Sequence, residues 1–274
     1  MSNDVEQHME DDLAEVTSLE RIDERRFRLR VPDGWQQGRG AFGGLVLGAL
    51  ARAARIYEPD QTRELRAING ELAGPAVVGE AEITVEEVRR GNSLSMWSVA
   101  LRQRSQVRTR ATVVLGTTRV ANDAPAPLAD DERPQPWSEV AVTPLVPPVA
   151  PIFTRHFEFR SIGPMPMSGE LKPTASGWIR PRRVSPTIGP IEAVAMVDAW
   201  WPVALARVSI PRPLATITFS AQWFPAAREL PGDRPLFHRA RELTGADGFF
   251  VELRELWTET GELVLFNQQT LVWI

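Results

Sequence analysis

Between Glu192 and Arg207 the chain reads EAVAMVDAWWPVALAR, an apolar run with one carboxylate, Asp198, in its middle. A carboxylate taken out of water must be hydrogen-bonded or put to use. The apolar residues are too closely spaced to leave one exposed face, so the segment is predicted to be a buried helix. Burial raises a carboxyl pKa and makes it a better proton acceptor near neutrality. General-base chemistry is therefore one reading of Asp198. A helix cap or a buried structural hydrogen-bonder is the other.

The second stretch with chemical potential is GRGAFGGLVLGALARAA, residues 38–54, where Gly43, Gly44 and Gly48 fall in the first turns of an apolar helix beginning near Phe42. Glycine costs helix stability. Three of them imply either close approach to a sheet wrapping the helix or an exposed N-terminus whose N–H groups meet a ligand oxygen. A dinucleotide fingerprint fits poorly, because no buried parallel strand precedes the glycines and no βαβ unit follows.

Other chemistries start with little support. The chain has 274 residues and no cysteine, which removes thiolate nucleophiles, disulfides and cysteine-based metal sites and fits a cytoplasmic protein. Its three histidines, His8, His156 and His238, lie far apart, and neither HExxH nor GxSxG occurs. A net charge of −4 gives no electrostatic case for nucleic acid or an anionic membrane as partner. No uncharged stretch reaches the length of a membrane span, and no metal or cofactor is implied.

The elements that must position these residues follow from periodicity. Residues 1–14 are acidic and polar and are expected to be a flexible tail. Arg25 to Val31 alternates basic and apolar residues as a half-buried strand does. After the glycine-rich helix come strands near 64–74, 81–90, 94–103 and 107–117, an antiparallel meander with a turn at Gly91-Asn92-Ser93. Residues 121–149 are proline-rich and aperiodic, either a semi-rigid connector or a stretch that covers the surface. The order then recurs: a strand at His156–Arg160, a possible further strand near 177–180, the helix of Asp198, and strands near 214–224, 235–244, 249–258 and 262–274. The turn Gly245–Gly248 matches Gly91–Ser93 at an offset of about 154 residues, the mark of an internal repeat. The reading is α+β: domains 15–120 and 150–274, each a long apolar helix wrapped by an antiparallel sheet.

That architecture resembles the double hotdog fold. Several segments resemble the type II, TesB-like acyl-CoA thioesterases: AFGGLVLGALARAA, VRRGNSLSMWSVAL, VDAWWPVAL, LATITFSAQWF and the ending ELWTETGELVLFNQQ. The resemblance runs over nearly the whole chain except the tail and the connector. It implies hydrolysis of an acyl-CoA to a free acid and CoA, with a catalytic water held among Asp198, Thr216 and Gln269. The chain departs from the family pattern at AINGELAGP, which lacks a histidine many relatives carry, and at Thr218-Phe219, where an Asp-His pair is usual. These departures bear on substrate preference more than on the reaction.

For that chemistry, N–H groups at a helix N-terminus, those of Gly43 and Gly44, are expected to bind the oxyanion. Phe42, Trp200 and Trp201 would line the acyl site, and Arg89 and Arg90 would meet CoA phosphates. Each has a plainer reading: core packing for the tryptophans, solvated charge for the arginines, a structural amide for Gln269. Thr216 alternates with Thr218, Ser220 and Gln222, a polar stripe that simple periodicity turns toward solvent. The rival from another class is a non-catalytic acyl-CoA or lipid-binding protein. A hotdog hydratase is disfavoured, since neither His156 nor His238 has an aspartate a few residues away. Side-by-side pairing of hotdog units within one chain and further self-association into a homodimer are expected.

Overall fold

The computed structural model describes residues 12–119, 134–148, 150–171 and 174–274. The first half contributes strands β1 (Glu20–Arg21), β2 (Arg26–Val31), β3 (Glu64–Leu72), β4 (Gly79–Arg90), β5 (Leu94–Gln103) and β6 (Gln106–Gly116). The second contributes β7 (Phe157–Ser161), β8 (Thr174–Pro181), β9 (Leu214–Trp223), β10 (Leu236–Ala246), β11 (Phe249–Trp257) and β12 (Leu263–Trp273). Together they form one sheet in the order β1-β2-β4-β5-β6-β3-β9-β12-β11-β10-β8-β7. The halves join where β3 pairs antiparallel with β9, Asn69 opposite Ser220. Each half thereby covers the bare strand edge of the other.

Among the described residues four α-helices accompany the sheet: α1 (Leu13–Val16), α2 (Gly43–Tyr57), α3 (Pro190–Asp198) and α4 (Ala204–Arg207). One apolar core runs through both halves and includes Phe27, Leu47, Trp97, Val194, Met196 and Phe219. The alternation expected of Arg25–Val31 is present: Phe27, Leu29 and Val31 are buried while Arg26 and Arg30 are exposed. Among the described residues no helix is long and apolar enough to cross a membrane.

The expected helix Glu192–Arg207 is instead two helices, because Pro202 interrupts it. Proline has no N–H to give, and its ring collides with the carbonyl four residues back, here that of Asp198. Asp198 is therefore the last residue of α3, and Trp200 and Trp201 lie in the break. The N-terminal expectation also changes. Residues 1–11 lie outside the described residues, but Asp12 opens α1 with a capping box, its side chain accepting from the Glu15 N–H while Glu15 accepts from the Asp12 N–H. Leu13 and Val16 are buried in the core, so residues 12–14 belong to packed structure rather than to a flexible tail.

Of the proline-rich stretch, 121–133 and residue 149 lie outside the described residues. The following part lies on the outer face of the second half. Val140 packs with Trp178, Phe237, Trp257 and Leu263, and Trp137 lies under the guanidinium of Arg160 at 4.1 Å. That part covers surface rather than spanning free space. In the second meander β10 continues through Gly245 and Ala246, and the turn is Asp247-Gly248 with φ of 54° and 83°. Two successive positive φ angles suit a type I′ hairpin, for which Asp-Gly is a favoured pair.

Gly44 and Gly48 of α2 answer to the other helix. A Cβ at Gly44 would lie 2.8 Å from the Ala195 Cα and 2.9 Å from its carbonyl oxygen. One at Gly48 would lie 3.3 Å from the Ile191 oxygen. Gly44 faces Ala195 and Gly48 faces Ile191, so the helices run antiparallel with their backbones in contact. Gly44→Ala is expected to lower the denaturation midpoint. The overpacking costs about 1–3 kcal/mol and outweighs the roughly 1 kcal/mol that alanine gains over glycine in a helix. Gly48→Ala, with more room, is expected to shift the midpoint less; urea denaturation of both variants checks the order.

Candidate active site

The break in the second helix creates the site. With α3 ending at Asp198, its last carbonyls need donors from elsewhere. Arg254 on β11 supplies them: Nη1 reaches the carbonyls of Val197 at 3.1 Å, Asp198 at 3.3 Å and Trp200 at 3.2 Å. The same nitrogen is 3.9 Å from Asp198 Oδ1, and the arginine side chain is 1% exposed.

The Asp198 carboxylate is held from three sides. Gln269 Nε2 donates to Oδ1 at 2.9 Å. The backbone N–H of Gly44, at the start of α2 in the other half, faces it and favours its charged form. Its Oδ2 lies where a Gly43 side chain would be, 2.9 Å from that Cβ position. Burial pushes the Asp198 pKa up, while the Arg254 charge, the Gln269 amide and the Gly44 N–H pull it down; burial prevails and the pKa stands above the ordinary aspartate value.

The amide of Gln269 has no freedom to turn. Nε2 also donates to Asn267 Oδ1 at 3.0 Å, and Oε1 accepts from Thr216 Oγ1 at 3.0 Å. Asn267 is anchored in turn by donating to the Ser220 carbonyl at 2.9 Å. Thr216 reaches this chain through a β-bulge. Thr216 pairs with Leu271 and Thr218 with Thr270, leaving Ile217 as the extra residue. The bulge reverses the alternation, so Thr216 joins the inner face with buried Phe219 while Thr218 is exposed. Simple periodicity misjudged Thr216 because it assumes an unbroken period of two.

Asp198, Thr216, Gln269, Gly43 and Gly44 thus come together. The Gly44 N–H, expected to be offered to a substrate oxygen, also lowers the Asp198 pKa. Phe42 is fully buried and stacked on Phe153, with ring centroids 4.4 Å apart. Trp200 is 1% exposed and stacks on His238 at 4.9 Å. Both tryptophans, with Phe153 and Leu145, line an apolar cavity of about 320 Å³ whose wall includes Ala199 and Pro202. Arg89 and Arg90 are not brought to the site. They are exposed at the end of β4, where Arg90 lies over Trp97 at 5.2 Å. Trp97 packs on Tyr57 at the C-terminus of α2, a full helix length from Gly43.

Sequence reasoning missed Glu252, Arg254 and Asn267, all buried. A signal was present in FFVELRELW: Glu252 and Arg254 alternate with Phe250 and Leu256, so opposite charges two residues apart share a face with large apolar residues.

Two helices in backbone contact, each half wrapped by its share of one antiparallel sheet, with a carboxylate, an amide and a hydroxyl joined at their crossing, define a double hotdog protein of the α+β class. Residues 31–116 match the acyl-CoA thioesterase N-terminal domain and residues 122–273 the acyl-CoA thioesterase C-terminal domain, and the chain belongs to that family of thioester hydrolases. No functionally curated protein matches it significantly. Among solved structures, a hot dog fold protein of unknown function from Alicyclobacillus acidocaldarius is similar at TM-score 0.85 and 22% identity, over 96% of this chain and 97% of that one. The tesB protein of Mycobacterium avium subspecies paratuberculosis is similar at TM-score 0.76 and 20% identity, over 96% and 98% of the two chains. An acyl-CoA thioesterase II from Mycobacterium marinum is similar at 0.74 and 17%, over 96% and 98%. These likenesses show the shared fold.

The raised pKa of Asp198 has a measurable sign. A carboxyl whose pKa is higher folded than unfolded favours folding when protonated, and that stability is lost as pH rises through the folded pKa. Wild type is therefore expected to lose stability relative to Asp198→Asn as pH rises from the ordinary aspartate range toward neutrality. Urea denaturation of both proteins across that range measures the difference.

Proposed function

We propose that this protein hydrolyses an acyl-CoA by direct attack of a water activated by Asp198, without an acyl-enzyme. The observation that carries the reading is the chain Thr216–Gln269–Asp198, which ends on a buried carboxylate with a raised pKa. A carboxylate in that state is a stronger base than a solvated one. Gln269 Oε1 and an Asp198 oxygen are two acceptors bridged by one amide. A water donating one hydrogen to each directs its lone pair away from both, toward a thioester carbonyl.

In the chemical step the water proton passes to Asp198 as the oxygen adds to the carbonyl carbon. The tetrahedral intermediate carries its charge on the former carbonyl oxygen. The first N–H of α2, at Gly43, is the donor we assign to it, favoured by the positive end of the helix. Collapse expels the CoA thiolate, which takes the proton back from Asp198. Gly44 serves the base rather than the oxyanion.

The acyl chain is assigned to the cavity lined by Trp200 and Trp201, because its wall begins at Ala199, the residue after the base. A mainly apolar lining with few polar groups suits an acyl chain. The same reading includes self-association into a homodimer or higher homo-oligomer. It includes a cytoplasmic setting, consistent with the cysteine-free sequence.

Thiol release from acyl-CoAs of graded chain length tests the reading. Asp198→Asn is expected to lower kcat about 100-fold or more while circular dichroism stays native. Turnover at the wild-type rate would remove Asp198 from the chemistry, and binding without thiol release by wild type would leave a non-catalytic acyl-CoA binder. Leu145→Trp, which fills the cavity, is expected to cut kcat/KM about tenfold on the longest accepted chains and to spare the shortest. An equal loss on all chain lengths would move the acyl site elsewhere.

A further inference from the structure

Arg254 and Glu252 take no part in the reaction described above, yet both are buried, at 1% and 0% side-chain exposure, with Arg254 Nε 2.7 Å from Glu252 Oε1. An ion pair in that position is a poor device for stability alone, since desolvating two charges offsets much of their attraction. What the pair touches suggests another use.

The break between α3 and α4 leaves helix ends of both kinds. At the end of α3 the carbonyls of Val197, Asp198 and Trp200 all turn to Arg254. At the start of α4 the N–H of Val203 donates to Glu252 Oε2 at 3.0 Å. A cation sits at a helix C-terminus and an anion at a helix N-terminus, the sense that complements both backbone dipoles. The two charges are bonded to one another and stand two residues apart on one strand, so they fix the width of the break. Asp198 lies at its edge, with its carbonyl bonded to Arg254 and its carboxylate 3.9 Å from the same nitrogen.

We infer that Arg254 and Glu252 are a positioning pair that clamps the helix break and thereby sets both the place and the charge of the catalytic carboxylate. The inference rests on the reading of Asp198 as the base. Around Asp198 the elements present Arg254 from β11, uncharged Gln269 and Asn267 from β12, Thr216 from β9, and the backbone of Gly43 and Gly44 from α2. Arg254 is faced in turn by Glu252 and by His238 of β10, which burial and the arginine's charge hold neutral. Glu242 on β10 repels Glu252 and is itself paired with Arg207. The cation nearest Asp198 is thus shared between two carboxylates. Removing the cation and removing the competing anion should move Asp198 in opposite directions.

The test is the pH dependence of kcat/KM for acyl-CoA hydrolysis in full-length wild type, Arg254→Lys, Arg254→Met and Glu252→Gln. Arg254→Met is expected to move the acidic limb to higher pH by about one unit or more, since an adjacent opposite charge lowers a carboxyl pKa by about that much. Glu252→Gln keeps an acceptor for the Val203 N–H and leaves Arg254 with Asp198 as its nearer anion, so the limb is expected to move to lower pH. Arg254→Lys keeps the charge and loses the planar fork; its limb should stay near that of wild type while kcat falls about tenfold or more with KM little changed. If neither limb moves in the Met and Gln variants while Asp198→Asn remains inactive, the pair is structural only and the inference fails alone. If Asp198→Asn turns over like wild type, the base assignment and the inference fall together. Should Arg254→Met not fold, the direction of the Glu252→Gln shift decides, and an unmoved or raised limb overturns the proposal.

Discussion

Two helices, one from each half of the chain, meet with almost nothing between their backbones, and the rest of the molecule is arranged around that contact. Glycine at 44 and 48 makes it possible, because a side chain at Gly44 would occupy the space of the Ala195 main chain. The contact brings the N-terminus of α2 to the C-terminus of α3, so the backbone at Gly43 in the first half faces the Asp198 carboxylate of the second. Neither half alone contains this arrangement. The continuous sheet, joined at β3 and β9, makes the crossing rigid from outside.

The second constraint is a proline. Pro202 ends α3 early and forces the chain to bury carbonyls that have no partner within the helix. The fold answers with charge: Arg254 reaches into the gap, and Glu252 balances it. Polar groups in the interior follow one another from that point. Arg254 stands by Asp198, Asp198 accepts from Gln269, and Gln269 is locked between Thr216 and Asn267. Every member is satisfied by another, the condition under which a buried polar network rigidifies a protein instead of weakening it.

The two halves share a scaffold and differ in what they place at the crossing. The first supplies a helix start with glycines and main-chain donors. The second supplies a helix end with a carboxylate. Their meanders even carry bulges at matching positions, between Glu87 and Arg89 in β4 and between Glu242 and Thr244 in β10. The bulge at Ile217, where β9 pairs with β12, is matched by one at Arg66, where β3 pairs with β6. Of these two, the bulge in β9 is the one that turns a hydroxyl, Thr216, toward the site.

Much of this was legible in the letters. Alternation located all eight meander strands to within a few residues, since a half-buried strand must show its period of two. The apolar density of residues 42–54 and 192–207 marked the buried helices, and the lone Asp198 marked the candidate site. Thr216 and Gln269 were readable only through resemblance, because a bulge hides Thr216 and an apolar neighbourhood gives Gln269 the character of a structural amide. The tertiary structure alone decided that Gly43 and Gly44 face Asp198, that Arg89 and Arg90 stand a helix length away, and that Arg254 closes the end of α3. Periodicity reports which face of an element is buried. Which two buried faces touch, and which charge finds which helix end, depends on contacts between residues far apart in the chain, such as Gly44 and Asp198 or Val197 and Arg254, and no local pattern encodes them.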